Sequence, residues 1–215
     1  ELSERLLQHP IEAVKKLRGI KGTQVTITIF REENKAPFDV SLTRDTIKIQ
    51  SVYWHVLDGG WGYIRLRSFA QNTGTELDNA LKEVLKKKVN GIVLDLRNNP
   101  GGLLDMSVEV ASKFIGGNKL IVSTRGRIKD QEREYTSDAQ AAVPDLPLVV
   151  LVNRGSASAS EIVTGAVKDH GRGIIFGSKT FGKGSVQSLF KLPDSSELRL
   201  TTSYYFTPAN IKIHE

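Results

Sequence analysis

Three serines on alternate positions, Ser156, Ser158 and Ser160, precede Glu161 in the segment NRGSASASEI. A serine hydroxyl at the start of a helix has two chemical uses. It can accept a hydrogen bond from a backbone N–H as a cap, or it can act as a nucleophile if a base removes its proton. Ser158 and Glu161 have the S-x-x-E spacing of a capping box. The segment alone therefore leaves both interpretations open.

Two features favour a nucleophile at Ser158. A cap requires one hydroxyl, whereas the segment has three, separated only by alanines that leave the backbone approachable. The segment also follows the apolar run Leu146–Asn153, so it lies where a buried strand meets a helix, at the edge of the sheet where ligands bind in open α/β folds. Free N–H groups of the first helical turn can stabilise an oxyanion there. The arrangement resembles a nucleophile elbow, although the G-x-S-x-G motif is absent.

A nucleophilic serine needs a base, and the histidines do not supply one. The chain has four: His9, His55, His170 and His214. His170 follows Asp169, which suggests a Ser-His-Asp triad. It is on the same predicted helix as Ser158, however, and its position along that helix puts it about 18 Å away, far beyond a hydrogen bond of about 3 Å. We predict that His170 ends the helix before Gly171.

Lys183 is the base that the predicted path of the chain delivers to Ser158. The helix Ser158–Gly171 carries the chain about 20 Å away, and the strand Gly173–Ser178 returns it by about the same distance. The next segment, TFGKGSVQ, contains Lys183 and Gln187. A lysine amine, with a pKa of about 10.4, is a weak base at neutral pH, but burial lowers such values, and serine–lysine pairs are known. Gln187 can accept a hydrogen bond from the amine and orient it.

Two other interpretations of Lys183 stay open. The segment GSKTFGKG has the G-x-x-x-x-G-K pattern of a phosphate-binding loop and follows a strand. However, Gly184 stands where that motif has Ser or Thr, and no helix pattern follows before Pro193. In the third interpretation, Gly182 and Gly184 serve only a turn, and Lys183 is solvated.

Composition excludes several classes of function. Hydrophobic residues make up 39% and charged residues 25% of the chain, ordinary values for a globular protein. The formal charge of +6 is spread along the chain without an arginine-rich arm, so we predict no nucleic-acid binding. The absence of cysteine excludes disulfides, thiolate metal sites and a cysteine nucleophile. No apolar run is long enough to cross a bilayer, and the chain does not open with a secretory leader pattern.

Hydrophobic periodicity predicts strands that alternate with helices. After a short helix from Pro10 to Gly19 come the strands Gly22–Phe30 and Phe38–Thr43, a hairpin over Ile47–Phe69, a helix over Leu77–Lys88, the strand Gly91–Arg97, a helix to about Ile115, a strand near Lys119–Gly126, and the strand–helix–strand run Leu146–Asn153, Ser158–Gly171 and Gly173–Ser178. This order implies a mostly parallel sheet covered on both faces. The first 45 residues are too few for a good core of their own.

Three motifs together resemble the tail-specific, or C-terminal processing, serine peptidases. They are LDLRNNPGG, VNRGSASASEI and TFGKGSVQ, in this order and spacing, and the flanking LRGIKGTQVTITIFR and LTTSYYFTP are similar to segments of the same family. The resemblance implies an α/β fold in which a crotonase/Clp-peptidase-like spiral of ββα units forms the catalytic core, residues 46–215. It also implies that residues 1–45 are a C-terminal fragment of a PDZ domain, its last helix and strands. Because the family pattern usually continues past Glu215, we expect a C-terminally truncated core.

The resemblance also assigns roles to single residues. It implies that Ser158 is the nucleophile, Lys183 the base and Gln187 its partner. The oxyanion hole would use the amide of Ala159 and a glycine amide of the NPGG turn, for which Gly101 is preferred and Gly102 is the alternative. Asp169 matches an acidic position of the family, and we expect it to support the fold.

The implied function is a serine endopeptidase that cleaves proteins near their C-termini through an acyl-enzyme. Its partners would be polypeptides with extended C-terminal tails, pairing with an exposed strand near Leu198–Phe206, with neither cofactor, metal nor nucleic acid involved and no stable membrane insertion by this segment. The family suggests a periplasmic, cell-envelope or plastid-lumen setting and is compatible with a homo-oligomer. The alternative is a catalytically inactive peptide-binding module in which Ser158 is only a helix N-cap.

Overall fold

The computed structural model describes residues 10–33, 36–46, 50–127, 129, 132–143, 145–194 and 196–214. The chain divides into two compact units, Glu1–Ile49 and Gln50–Glu215.

In its described residues, the smaller unit contains one helix and one antiparallel hairpin. They are α1 (Pro10–Leu17), β1 (Gln24–Ile29) and β2 (Phe38–Thr43). The bounds of β2 agree with the prediction, and the other two elements are shorter than predicted. The Arg44 guanidinium donates hydrogen bonds to the carbonyls of Leu17 and Gln24, each at 2.9 Å, and so joins the end of the helix to the hairpin.

The larger unit alternates strands with helices, as the hydrophobic periodicity predicted. Its elements are β3 (Val52–Leu57), β4 (Trp61–Leu66), α2 (Thr73–Lys86), β5 (Gly91–Asp95), α3 (Leu104–Ser112), β6 (Leu120–Gly126), β7 (Arg133–Thr136), β8 (Leu148–Val152), α4 (Ala159–Asp169), β9 (Ile174–Gly177), β10 (Ser185–Lys191) and β11 (Glu197–Phe206). Helix α2 starts at Thr73. The prediction placed the start at Leu77, because the first turn lacks the apolar spacing on which the prediction relied. Residues 47–49 of the predicted hairpin lie outside the described residues. Within the described ranges, no helix combines the length and apolarity needed to cross a membrane.

A five-stranded sheet with the order β3-β4-β5-β8-β9 forms the centre of this unit. Strands β4, β5, β8 and β9 are parallel, and β3 is antiparallel to β4. One face is fully buried, as at Ile64, Leu94 and Val150. The opposite face is only half-buried along β4 and β8 and is exposed on the edge strand β9, at Ile174 (66%) and Phe176 (67%). The prediction of cover on both faces is therefore wrong for the described part of the chain.

A second, antiparallel sheet has the order β10-β11-β6-β7. Helix α4 contacts both β9 and β6, so it packs between the two sheets. Strand β11 pairs with β10, and over Ser203–Phe206 it also pairs with β6. Both edges of that part are occupied, so the predicted exposed strand for peptide pairing is wrong there. Strand β10, on the other side of β11 from β6, is an edge strand of this sheet.

Candidate active site

Ser158 occupies a strained turn between β8 and α4, at the carboxyl edge of the parallel strands. Its φ and ψ are 54° and −112°, and the Ser160 N–H donates to the Ala157 carbonyl at 3.1 Å. These values match the first central residue of a type II′ turn, a position where glycine dominates. A residue with a side chain costs about 1–3 kcal/mol in such a sparsely populated region. An ordinary N-cap residue has extended backbone, so capping alone does not explain this conformation.

The two flanking serines have structural roles. Ser156 and Ser160 are both fully buried. The Ser156 hydroxyl donates to the Leu96 carbonyl at 2.7 Å, and the Ser160 hydroxyl donates to the Asn99 carbonyl at 3.0 Å. They therefore fasten the Ser158 turn to the segment that follows β5. Of the three alternate serines, only Ser158 is partly accessible.

A pair of asparagines joins the same two segments. The Asn98 N–H donates to Oδ1 of Asn153 at 2.9 Å, and Nδ2 of Asn153 donates to Oδ1 of Asn98 at 3.0 Å. Asn98 follows β5 and Asn153 follows β8, so this reciprocal pair fixes the loops at the ends of two adjacent strands.

Glu161 connects the Ser158 turn to the segment that contains Lys183. The predicted capping box is present at the start of α4, and the Glu161 side chain is almost completely buried. Its Oε2 accepts hydrogen bonds from the N–H groups of Ser158 at 2.8 Å and Lys183 at 2.9 Å. Its Oε1 accepts from the Gly182 N–H and the Thr180 hydroxyl, each at 2.7 Å. The sequence revealed only the local cap, because the other three contacts come from residues beyond β9.

The backbone of Lys183 therefore lies beside that of Ser158. Both backbone nitrogens bond to one oxygen atom, so the return path estimated from helix and strand lengths is found in the fold. The Lys183 side chain is exposed, and within the described residues no hydrogen bond joins its amine to the Ser158 hydroxyl. Gln187 lies on β10, immediately after a bulge at Val186, and is also exposed. A bulge redirects the side chains that follow it.

The NPGG turn packs directly against Ser158. A β-carbon on Gly101 would lie 2.9 Å from both Ser158 Cβ and Ala159 N, and the φ of Gly101 is 96°, so only glycine fits there. The Gly101 N–H donates to Oδ1 of Asn99 at 2.9 Å. Among the described residues, the amides of Gly102 and Ala159 have no recorded hydrogen-bond acceptor. Two amides close to Ser158 are thus free to bind a ligand oxygen.

His170 and Asp169 lie at the far end of α4, as predicted. Nε2 of His170 lies 2.7 Å from the Leu120 carbonyl oxygen. Oδ2 of Asp169 accepts a hydrogen bond from the Ala209 N–H at 2.8 Å, a contact that supports the fold. A triad of Ser158, Asp169 and His170 is excluded, because the length of α4 separates Asp169 and His170 from Ser158.

The phosphate-loop interpretation of Lys183 is wrong. That motif requires a helix directly after the lysine, whereas strand β10 begins at Ser185.

Within the part of the chain that the structure describes, no group of three or more acidic or histidine side chains could hold a metal ion.

A buried carboxylate stabilises the strand that leads into the NPGG turn. Asp95, at the end of β5, is fully buried. It accepts hydrogen bonds from Nε and Nη2 of Arg97 at 2.9 and 2.8 Å, and another from the Tyr63 hydroxyl. Burial alone would raise the pKa of Asp95, but the bonds from Arg97 and Tyr63 outweigh it and lower the pKa below its ordinary value. Burial, together with the bond to Asp95, raises the pKa of Tyr63.

The chain is similar to a family of peptidases. The model of peptidase family S41 matches residues 60–215. Similar curated proteins include a carboxy-terminal-processing protease of Bartonella bacilliformis (44% identity, 94% of this chain, 47% of the relative) and a carboxyl-terminal-processing protease of Synechocystis (41%, 95% and 48%). The solved photosystem II D1 C-terminal processing protease has a TM-score of 0.71 and 35% identity, over 91% of this chain and 54% of that one. The chain spans about half the length of the curated relatives it matches.

Proposed function

Because the chain belongs to peptidase family S41, we propose that it is the catalytic core of a serine endopeptidase that cleaves polypeptides near their C-termini. The names of its relatives, which are C-terminal processing proteases, support this function. The observation that carries the proposal is the single Glu161 oxygen that binds the N–H groups of both Ser158 and Lys183. It holds a strained serine and a lysine side by side at the end of a parallel sheet.

The reaction proceeds through an acyl-enzyme. The uncharged amine of Lys183 takes the proton of the Ser158 hydroxyl as the oxygen attacks the scissile carbonyl carbon. Lys183 then gives this proton to the departing amine as the peptide C–N bond breaks. Water hydrolyses the resulting ester with the same lysine as base. Because Lys183 is exposed in the structure, the bound substrate must cover it and exclude water, which favours the uncharged amine. Gln187 orients the amine.

The oxyanion hole consists of the amides of Ala159 and Gly102. Gly101, the glycine preferred from the family resemblance, already donates its N–H to Asn99, whereas Gly102 has a free N–H in the same turn. Preorganised amides of this kind stabilise the negative charge that develops on the carbonyl oxygen.

The finer details of fold and setting follow from the same family. The ββα units of residues 46–215 form a crotonase-like spiral, and residues 1–45 are the end of a PDZ domain. Extended substrate tails pair with the unpaired edge of β10, which continues from Lys183, instead of with β11. The protein acts outside the cytoplasm.

Single substitutions in the full-length protein test this function. Ser158→Ala and Lys183→Ala should each abolish cleavage of an unstructured peptide, whereas Lys82→Ala, which removes an exposed lysine of α2, should not. A fluorophosphonate probe should label Ser158. Normal turnover by either of the first two variants would refute the assignment.

The competing function is an inactive peptide-binding module in which Ser158 serves only the capping box at the start of α4. Such a module would bind an extended peptide with the same affinity before and after Ser158→Ala, and neither cleavage nor labelling would be detected in the parent protein. That combination would replace the peptidase proposal.

A further inference from the structure

Asn99 is a fully buried polar residue that has no part in the chemistry described above. Both polar atoms of its side chain are used. Nδ2 donates to the Leu66 carbonyl at 2.9 Å, and Oδ1 accepts the Gly101 N–H at 2.9 Å. The second contact is an Asx turn, in which a side chain bonds the backbone two residues later. Asn99 therefore ties the NPGG turn to the end of β4.

The backbone of Asn99 holds the nucleophile segment as well. Its carbonyl oxygen accepts the Ala157 N–H and the Ser160 hydroxyl, each at 3.0 Å. These two residues flank the Ser158–Ala159 pair. One buried residue thus contacts the turn that carries the glycine amides and the turn that carries the nucleophile.

The backbone beyond Asn99 alternates in direction. The Gly101 carbonyl accepts the Phe69 N–H at 3.0 Å, and the Leu103 N–H donates to the Phe69 carbonyl at 2.8 Å. The C=O of Gly101 and the N–H of Gly102 belong to one trans peptide, in which the two groups point in opposite directions. The Gly102 N–H therefore points away from Phe69, and with Gly101 bound by Asn99 it is the free glycine amide of the turn.

From these contacts we propose that Asn99 is a positioning residue that makes Gly102, and not Gly101, the glycine donor of the oxyanion hole. By engaging the Gly101 N–H, its side chain takes this amide out of the oxyanion hole and holds the peptide that precedes Gly101. The Phe69 N–H, bonded to the Gly101 carbonyl, holds the next peptide, which carries the Gly102 N–H. This inference rests on the proposed peptidase function.

Two substitutions in the full-length protein separate this role from a merely structural one. Asn99→Ala removes both side-chain contacts. Asn99→Ser loses the Leu66 contact but retains a hydroxyl that can accept the Gly101 N–H in a weaker turn of the same kind. The matched control, Ser112→Ala, also removes two hydrogen bonds of a buried side chain, to Val108 and from Asp138, at a site on α3.

The measurements are kcat, KM, the inhibition constant of a peptide aldehyde and the thermal midpoint. The aldehyde forms a tetrahedral adduct with Ser158 whose oxygen occupies the oxyanion hole. We expect kcat to fall about 100-fold in Asn99→Ala, as when one oxyanion donor is lost, with little change in KM. Inhibition by the aldehyde should weaken in parallel with the fall in kcat. Asn99→Ser should recover part of both losses, with the pH profile of the parent, whereas Ser112→Ala should lower only the thermal midpoint.

Parent-like kcat and aldehyde binding in Asn99→Ala would overturn the proposal. The proposal would also be overturned if kcat and aldehyde affinity fell in proportion to the thermal midpoint in all three variants. If Asn99→Ala does not fold, Asn99→Ser decides the question through the ratio of aldehyde affinity to KM. Cleavage that survives Ser158→Ala refutes the peptidase function itself, a result distinct from either outcome at Asn99.

Discussion

Replacement of Glu161 by glutamine tests how the site is assembled. The carboxylate accepts four hydrogen bonds, two at each oxygen. An amide of the same shape keeps one oxygen and turns an NH2 group toward the other two donors. Hydrogen bonds to a charged group contribute about 1.5–3 kcal/mol each. In either orientation one partner of the NH2 group can be replaced, by water at the exposed Lys183 or by the Thr180 hydroxyl acting as acceptor. We therefore expect a net loss of about 3 kcal/mol in the free energy of unfolding.

The effect on activity should exceed the effect on stability. In either orientation of the amide, Glu161→Gln cannot accept all three bonds from the Thr180–Lys183 segment, so Lys183 is held less firmly beside Ser158. A displacement of about 1 Å at a reacting group can cost about 100-fold in rate. We therefore expect kcat/KM to fall by about that factor under conditions in which the variant is fully folded. Urea unfolding gives the stability, and cleavage of a fluorogenic peptide gives the rate.

Glu76→Gln is the matched control for this experiment. Oε2 of Glu76 likewise accepts three hydrogen bonds, from the N–H and hydroxyl of Ser51 and the N–H of Val52, and it does so at the start of β3. This variant should lose stability without a specific loss of rate. If Glu161→Gln and Glu76→Gln lose the same activity at equal folded fraction, the shared carboxylate does not position the site.

Three further substitutions probe the backbone and the electrostatics. Ser158→Gly should be about 1 kcal/mol more stable than Ser158→Ala in urea unfolding, because only glycine adopts the positive φ without strain; equal stability would contradict that backbone conformation. Gly101→Ala should abolish cleavage, whereas Gly117→Ala, at a similar φ of 88° but with its nearest neighbouring atom at 3.8 Å, should retain it; equal activities would contradict the close packing of the turn. Tyr63→Phe should cost about 2 kcal/mol at pH 7. The pKa of Asp95 is lower in the folded protein than in the unfolded chain. Its carboxylate therefore contributes to the free energy of unfolding above the unfolded pKa, and this contribution is lost as the pH falls through the folded pKa. The difference between parent and variant should therefore shrink in urea titrations below about pH 4, and a constant difference would contradict the argument.

The sequence predicted those parts of the fold that depend on local patterns. The apolar run of β8, followed by S-x-x-E and a helical stripe, placed Ser158 at a strand-to-helix turn, and simple length arithmetic placed Lys183 near it. The alternating hydroxyls were misread as a sign of reactivity. Ser156 and Ser160 bond carbonyl oxygens of Leu96 and Asn99, about 60 residues earlier, and no local pattern reveals such partners.

The same limit applies to Glu161 and to the two glycines. The spacing of Glu161 from Ser158 predicted a capping box, but its bonds to Thr180, Gly182 and Lys183 depend on how β9 returns the chain. Gly101 and Gly102 are equivalent in sequence. Their amides differ only because Asn99 bonds one of them, a contact that requires the folded turn.

The exposed edge strand β9 affects the solubility of this chain. Its two outward side chains, Ile174 and Phe176, are among the most exposed large apolar groups in the described residues, and the strand lies at a sheet edge. An unpaired apolar edge is a template on which a second chain can add. At high concentration this chain should aggregate through β9, and a charged residue in place of Ile174 should improve its solubility without touching Ser158.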